Sequence, residues 1–389
     1  MRTLLVAALL LASCRRHEHR QPPATTVAPP SVVPQLPLSP DGTEELRGLD
    51  RRIEIHKDDP KAELGFLGER ATARGRLDDY QAMLAVSAAW IAKAPGDPDA
   101  WLARAHALAT VHDFAAASAA LGHVPADAAT EQIIALDEAT GHRDRSLAAR
   151  QAAARAWPSA IPITQELASL ALAGRFDEAR ALIPKAAASI HDNPPELFSW
   201  LYFQWGRVYE QAGDLATARD FYLASHARMP NIEVTTHLAA AELATGQADA
   251  ARHLVAETLA TDPHPSIVEL AAKLGLVPVA DARAAWDRYV AALPLAFADH
   301  AARFYLTVDP DRAVALARTN LANRDVPEAR ALVVEAALAA RDPAAACAVV
   351  DPLIGAPQRA DRFTAWRALS QCGRGSDAAR LAKDLGIGP

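Results

Sequence analysis

GDLATARDFYLASHARMP (Gly213–Pro230) and GQADAARHLVAETLATDP (Gly246–Pro263) are one phrase set down twice, 33 residues apart. Each opens on Gly, carries Ala five residues on and ends on Pro after seventeen steps. Gly permits a chain reversal, Ala forms helix readily and takes little room, and Pro lacks the N–H that would continue a helix. The phrase reads as a helix stop, a close contact between helices, and a second stop. It recurs as GHRDRSLAARQAAARAWP (Gly141–Pro158), and in part as GRLDDYQAM from Gly75, GRFDEARAL from Gly174 and GRGSDAARL from Gly373. Weaker copies begin at His112, Asp309 and Arg341, and another runs up to Pro294. Spacings of 29 to 39 residues cluster near 33. A fixed period of this length marks an array in which each unit buries its apolar face against the next.

The pattern resembles the tetratricopeptide repeat, a unit of about 34 residues folded as two antiparallel helices. That family places small residues at positions 8, 20 and 27 of the unit and Pro at 32. From Tyr202 to Pro230, Gly206 falls at position 8, Tyr209 at 11, Gly213 and Asp214 at the turn, Ala218 at 20, Ser225 at 27 and Pro230 at 32. The following unit has Leu238 at 7, Ala239 at 8, Gly246 at the turn, Ala251 at 20, Thr258 at 27 and Pro263 at 32. The resemblance implies an all-α, right-handed superhelical solenoid over residues 43–389. It would hold about ten hairpins from Lys61 onward, behind one capping helix, EELRGLDRRIEIHK. After Pro263 several turns lack Gly and position 11 lacks its aromatic, a departure from the pattern.

Composition agrees with close-packed helices. The chain is 51% apolar but only 6% aromatic, with much of the remainder Ala, and the β-branched runs a sheet would need are missing. A net charge of −7 argues against nucleic acid as a partner, since such proteins carry a basic stripe. No apolar run reaches the ~20 residues of a membrane-spanning helix.

The first residues, MRTLLVAALLLASC, place Arg2 before a short apolar stretch from Leu4 to Ala12. This is the layout of a secretory signal, too short to span a bilayer. Leu11-Ala12-Ser13-Cys14 resembles the lipobox of bacterial lipoproteins, which implies cleavage after residue 13 and lipidation of Cys14. Arg15, rather than Asp, follows the Cys, which in that pathway implies the outer membrane, with the chain facing the periplasm. His17 and His19 on this tail are too few for a metal site. From Gln21 to Pro40 seven prolines and no charge predict an extended tether, so that residues 14–42 form a lipidated, Pro-rich linker.

No phosphate-binding Gly-rich loop, His-Glu-x-x-His or Gly-x-Ser-x-Gly is present, and no cofactor or metal motif. Asp58-Asp59 and Asp78-Asp79 fall at helix starts, where carboxylates suit the helix dipole. His106, His237 and His253 stand alone on helices. The chain therefore reads as a non-enzyme. Cys347 and Cys372 remain once Cys14 is lipidated, and the register puts both near one turn edge, Cys347 at the start of a second helix. They are either a disulfide or two buried thiols.

The densest aromatic stretch is PPELFSWLYFQWGRVYEQAG (Pro194–Gly213). At about 100° per residue Tyr202, Trp205, Gly206 and Tyr209 share the face that the register gives to the core. Trp200, Phe203, Arg207, Glu210 and Gln211 form another stripe, at positions 2, 5, 9, 12 and 13, which line the concave groove in the resembled family. That stripe either binds a partner or packs beneath the loop at Asn193-Pro194-Pro195. The Lys and Asn of the family's carboxylate clamp are absent from positions 5 and 9. The leading expectation is a lipid-anchored interaction scaffold that binds a protein or peptide of the cell envelope in its groove. The alternatives are an enzyme or small-ligand site in the weaker C-terminal repeats, and a passive spacer.

Overall fold

Asp41 starts the first helix by accepting a hydrogen bond from Thr43 N at 2.8 Å, and the same device recurs along the chain. Asp59, Asp97, Asp113, Asp214, Asn231, Asp309 and Asp342 each cap a helix in this way, several with Pro at the first helical position. The computed structural model describes residues 32–191 and 194–387. The signal peptide, Cys14, His17, His19 and the first part of the linker lie outside them. Residues 1–32 and 33–389 form separate units, and the second is the subject below.

The described residues form 22 helices and no strand. A single helix α1 (Gly42–His56) precedes ten hairpins. The first five are α2 (Pro60–Arg74) with α3 (Leu77–Lys93), α4 (Pro98–Thr110) with α5 (Phe114–Leu121), α6 (Thr130–Ala139) with α7 (Arg143–Ala156), α8 (Ala160–Leu172) with α9 (Phe176–Ala188), and α10 (Pro195–Gln211) with α11 (Leu215–Arg228). The next three are α12 (Ile232–Ala244) with α13 (Ala248–Thr261), α14 (Pro265–Lys273) with α15 (Val279–Ala292), and α16 (Pro294–Val308) with α17 (Pro310–Asn323). In the ninth, α18 (Pro327–Ala339) pairs with a broken second helix, α19 (Pro343–Cys347) and α20 (Asp351–Ile354), and α21 (Arg359–Gln371) with α22 (Gly375–Leu385) closes the series. The chain is an α-solenoid.

The repeat register accounts for the packing. A Cβ added to Gly206 would lie 2.7 Å from Tyr222 Cε1 and 3.1 Å from Phe221 Cβ, so only Gly lets α10 approach α11 this closely. Ala218, Ser225, Ala239 and Ala251 are fully buried at the corresponding contacts. Apolar side chains gather in local clusters strung along the array rather than in one centre, as expected of stacked units.

Two features lie beyond the repeat. The first concerns residues 33–41, expected to end the extended tether; they pack on the solenoid instead. Val33 and Leu36 are buried with Phe198, Leu201 and Tyr202. Tyr202 Oη donates to Pro34 O at 2.7 Å and accepts from Leu36 N at 3.1 Å, while Arg228 donates to Ser39 Oγ and Leu36 O, both at 3.1 Å. Apolar residues between the prolines give this strap something to bury, about 1.5–3 kcal/mol for each side chain fully covered. Leu46 and Leu49 of α1 then meet Met229, so α1 bridges to the end of α11 and closes the first superhelical turn into a ring.

The second feature is contact between successive superhelical turns. Arg143 pairs with Glu328 at 2.5 Å, Gln358 Nε2 donates to Ala171 O at 2.7 Å, Asn323 Nδ2 to His112 O at 2.7 Å, and Tyr289 Oη to Gly75 O at 3.1 Å. These partners stand 185 to 214 residues apart in the chain. Gly75 ends α2 in the left-handed region, φ 62°, and a side chain there would strike the His264 ring at 2.6 Å. Turn edges of the early hairpins are therefore seated in the late ones.

Candidate binding cavity

The inner side of the first turn forms a half-open cavity of about 930 Å³, toward the upper end of the ~300–1,000 Å³ usual for ligand sites. Most of its wall comes from the first helices of successive hairpins: α2, α4, α6, α8, α10 and α12, joined by α1. These are the helices that face inward when hairpins stack into a superhelix. The wall is largely apolar, with Leu64, Met83, Trp90, Leu102, Trp200, Phe203 and Val234, and it carries charged groups between them.

The aromatic stripe of α10 divides here. Trp200 and Phe203 both line the cavity, Trp200 half-buried and Phe203 almost wholly buried against Tyr222 and His237, ring centroids 5.6 and 5.3 Å away. Arg207, Glu210 and Gln211 do not line it. The stripe runs along the helix past the end of the cavity, and its polar half ties α10 to α11 and α12. Glu210 accepts from Tyr222 Oη at 2.8 Å, lies 3.0 Å from His237 Nδ1 and pairs with Arg207 at 3.2 Å. Burial opposes the charge on Glu210, but His237, Arg207 and Tyr222 outweigh it and hold the carboxyl below its ordinary value. Glu210 is thus fully engaged within the solenoid, whereas Arg207 Nε and Gln211 Oε1 are buried without a hydrogen-bond partner among the described residues. Tyr202, Trp205 and Tyr209 are buried on the opposite face.

Sequence reasoning passed over much of the wall. Glu45 and Arg52 of α1, Glu69 of α2 and Trp90 of α3 all line the cavity. Burial pushes the Glu69 carboxyl up; Arg52 opposes this, and Glu196 and Glu45 add to it. His106, one of the isolated histidines, is also on the wall, at an exposed position. The available signal was the face Lys61, Gly65, Gly68, Glu69, Thr72 on α2, at helical spacing and with two glycines where a helix gains nothing from them.

Cys347 and Cys372 are placed as a disulfide pair, Cα atoms 6.3 Å apart, within the usual span. Cys347 is the last residue of the five-residue α19 rather than the start of a full second helix, because the chain breaks before Asp351. Among the described residues no group of three or more His, Cys, Asp or Glu is placed to hold a metal ion, and no helix is long and apolar enough to cross a membrane.

No protein-family model matches the chain. No curated protein matches it either. Among solved structures it is similar to the APC/C hetero-tetramer Cut9–Hcn1, at 12% identity over 88% of this chain and 66% of that one, TM-score 0.49. It is also similar to Naa15/Naa10 bound to HypK-THB, at 14% identity over 88% and 63%, TM-score 0.32. A third is the TPR2AB domain of yeast Sti1 in complex with pHSP90, at 16% identity over 66% and 97%, TM-score 0.26. The chain spans just under two thirds of the length of the first two.

Proposed function

We propose that this chain is a non-catalytic interaction scaffold of the tetratricopeptide-repeat kind, and that its ring-shaped first turn takes a segment of a partner protein into the central cavity. The observation that carries the reading is the cavity itself: its wall is built from the inward helices of the first turn, and Trp200 and Phe203 lie on it. Large aromatics on a concave, mostly apolar wall are the side chains that supply binding energy at protein interfaces. The cell-envelope setting rests on the sequence alone. The signal-like start and Cys14 support a lipid anchor, and Arg15 after it supports the outer membrane, with the solenoid facing the periplasm.

Photo-crosslinking residues introduced at Gln132 and Gln204 in the cavity, and at Asp281 on α15 outside it, test the scaffold reading in intact cells. The same polypeptide adduct is expected from both cavity positions and none from Asp281. Folded variants that give no polypeptide adduct from either cavity position would remove this function. The anchor is tested separately: a Cys14→Ser chain should lose detergent partitioning and accumulate unprocessed, and normal processing would refute lipidation.

A further inference from the structure

The charges on the cavity wall are unbalanced, and the imbalance specifies an occupant. Both cations on it are already paired, Arg52 with Glu45 at 2.5 Å and Lys61 with Asp99 at 2.6 Å. Glu69 and Glu196 line the same wall with no hydrogen-bond or ion-pair partner among the described residues, and Glu233 meets Arg207 only at 3.8 Å. A cation entering between Glu69 and Glu196 would relieve the repulsion that Glu196 exerts on the Glu69 carboxyl.

The second observation concerns hydrogen-bond donors. Trp101, Trp205 and Trp286 donate their indole N–H to Pro95 O, Thr164 Oγ1 and Glu269 Oε2. The other four tryptophans, Trp90, Trp157, Trp200 and Trp366, donate to none of the described residues, and of these Trp90 and Trp200 stand on the cavity wall, where an occupant can reach them. Their rings also offer faces that attract a cation. The third concerns space. A Cβ on Gly65 would meet nothing within 4 Å, and one on Gly68 only Met83 Cε at 3.7 Å. Gly inside a helix costs roughly 0.5–1 kcal/mol relative to Ala. No neighbour requires these two glycines, so what they preserve is the width of the cavity.

We propose that the cavity takes an extended polypeptide segment in which a lysine or arginine is flanked by apolar side chains. The cation sits at Glu69 and Glu196, the apolar groups lie on Leu102, Ile161 and Trp200, which keep exposed surface on the wall, and main-chain carbonyls accept from the two indoles. A lone alkylammonium would fill a small part of about 930 Å³ and leave the indoles without acceptors. A peptide supplies cation, apolar bulk and carbonyls together. The inference rests on the reading of the cavity as the partner site.

The test uses calorimetric titration of the full chain in detergent with the capped peptide Leu-Phe-Lys-Leu-Phe, the same peptide with norleucine in place of lysine, and n-butylamine. The lysine peptide should bind about three- to fivefold tighter than its norleucine counterpart, the worth of one ion pair at an exposed pair of carboxylates. A double variant Glu69→Gln, Glu196→Gln should erase that preference while melting as the parent does. Gly65→Leu should abolish binding of both peptides without lowering the melting temperature. Equal affinity of the two peptides, or a preference that survives the double variant, overturns the cationic specificity and leaves the cavity as partner site. Butylamine binding as tightly as the lysine peptide overturns the peptide occupant. Binding of neither peptide overturns the inference, while crosslinking from Gln132 and Gln204 still decides the proposed function. Undiminished peptide binding by Gly65→Leu removes the cavity reading itself.

Discussion

Gly206 and Gly65 both occupy helix interiors, where Ala is the better residue by about 1 kcal/mol, yet their surroundings pull in opposite directions. The Tyr222 ring fills the place where a Gly206 side chain would go, whereas Gly65 faces open space. Gly206→Ala is expected to destabilise by about 1–3 kcal/mol through overpacking, and Gly65→Ala to stabilise by about 0.5–1 kcal/mol. Urea unfolding of the two variants reads both signs, and a neutral Gly206→Ala would contradict the repeat register. Gly206 was legible in the sequence because it falls at a position the repeat requires to be small. Gly65 was not, because its meaning comes from an emptiness enclosed by helices remote in the chain. Trp200 shows the same divide. Helical spacing put it on the correct stripe, but nothing in the spacing showed that Arg207 and Glu210, about two and three turns further on, would pair with each other and Glu210 with His237.

Among the elements, the hairpin turns separate a legible half from an obscure one. Where the phrase begins on Gly, as at Gly213 and Gly246, the turn adopts positive φ at no steric expense, and these units were read directly. His112 and Arg341 hold the same left-handed conformation without being Gly, φ 58° and 61°, which is why their units looked degenerate. The conformation costs an L-residue about 1–2 kcal/mol. Exposed Arg341 has no side-chain hydrogen bond or ion pair among the described residues to offset it, so Arg341→Gly is expected to raise stability by about 0.5–1 kcal/mol once the greater unfolded freedom of Gly is allowed for. An unchanged or lower denaturation midpoint would show that the turn is unstrained. Next to it, the broken helix of α19 and α20 is held to α21 through Cys347 and Cys372, 25 residues apart. A bridge of that span contributes on the order of 3 kcal/mol in the chain-entropy model. Thiol counting on the unfolded, unreduced Cys14→Ser chain should find no free thiol. Finding two would mean that the helix is held by packing alone.

At the scale of the whole molecule, stability depends on the seam between superhelical turns, and that seam was invisible in the sequence. Its partners lie 185 to 214 residues apart and many are main-chain carbonyls, which no side-chain pattern marks. Buried in it are two neutral histidines. Burial first, then the charge of His300, pushes His264 down to about 3. His112 is brought to about 4, again mainly by burial, with Asp299 opposing and Arg324 and His300 adding. Below the ordinary histidine value of 6.5 the unfolded chain gains these protons before the folded one does, so stability falls as pH drops from about 6.5 toward 4. Asp361 runs the other way. Burial and the neighbouring Glu328 raise it to about 6, so its contribution is present at low pH and lost as pH rises from its ordinary 3.8 through that value. Of these three large shifts, two histidines act against one carboxyl, and together they leave a net loss on acidification. Urea midpoints at pH 7, 5.5 and 4.5 should decline in that order, and His264→Gln should flatten the decline. A midpoint constant across this range would mean that the seam carries no such linkage.

The strap at residues 33–41 brings the chain onto the fifth of ten hairpins rather than onto the end of the array. A mechanical load arriving at Val33 is therefore borne first by Tyr202 and Arg228, through Pro34, Leu36 and Ser39, and only afterwards by α1. Peeling the strap would transfer the pull to the junction of Leu46 and Leu49 with Met229, the clasp that shuts the ring. Tension on the N-terminal side would thus act on Leu46, Leu49 and Met229, which line the cavity, before it reaches the end of the array.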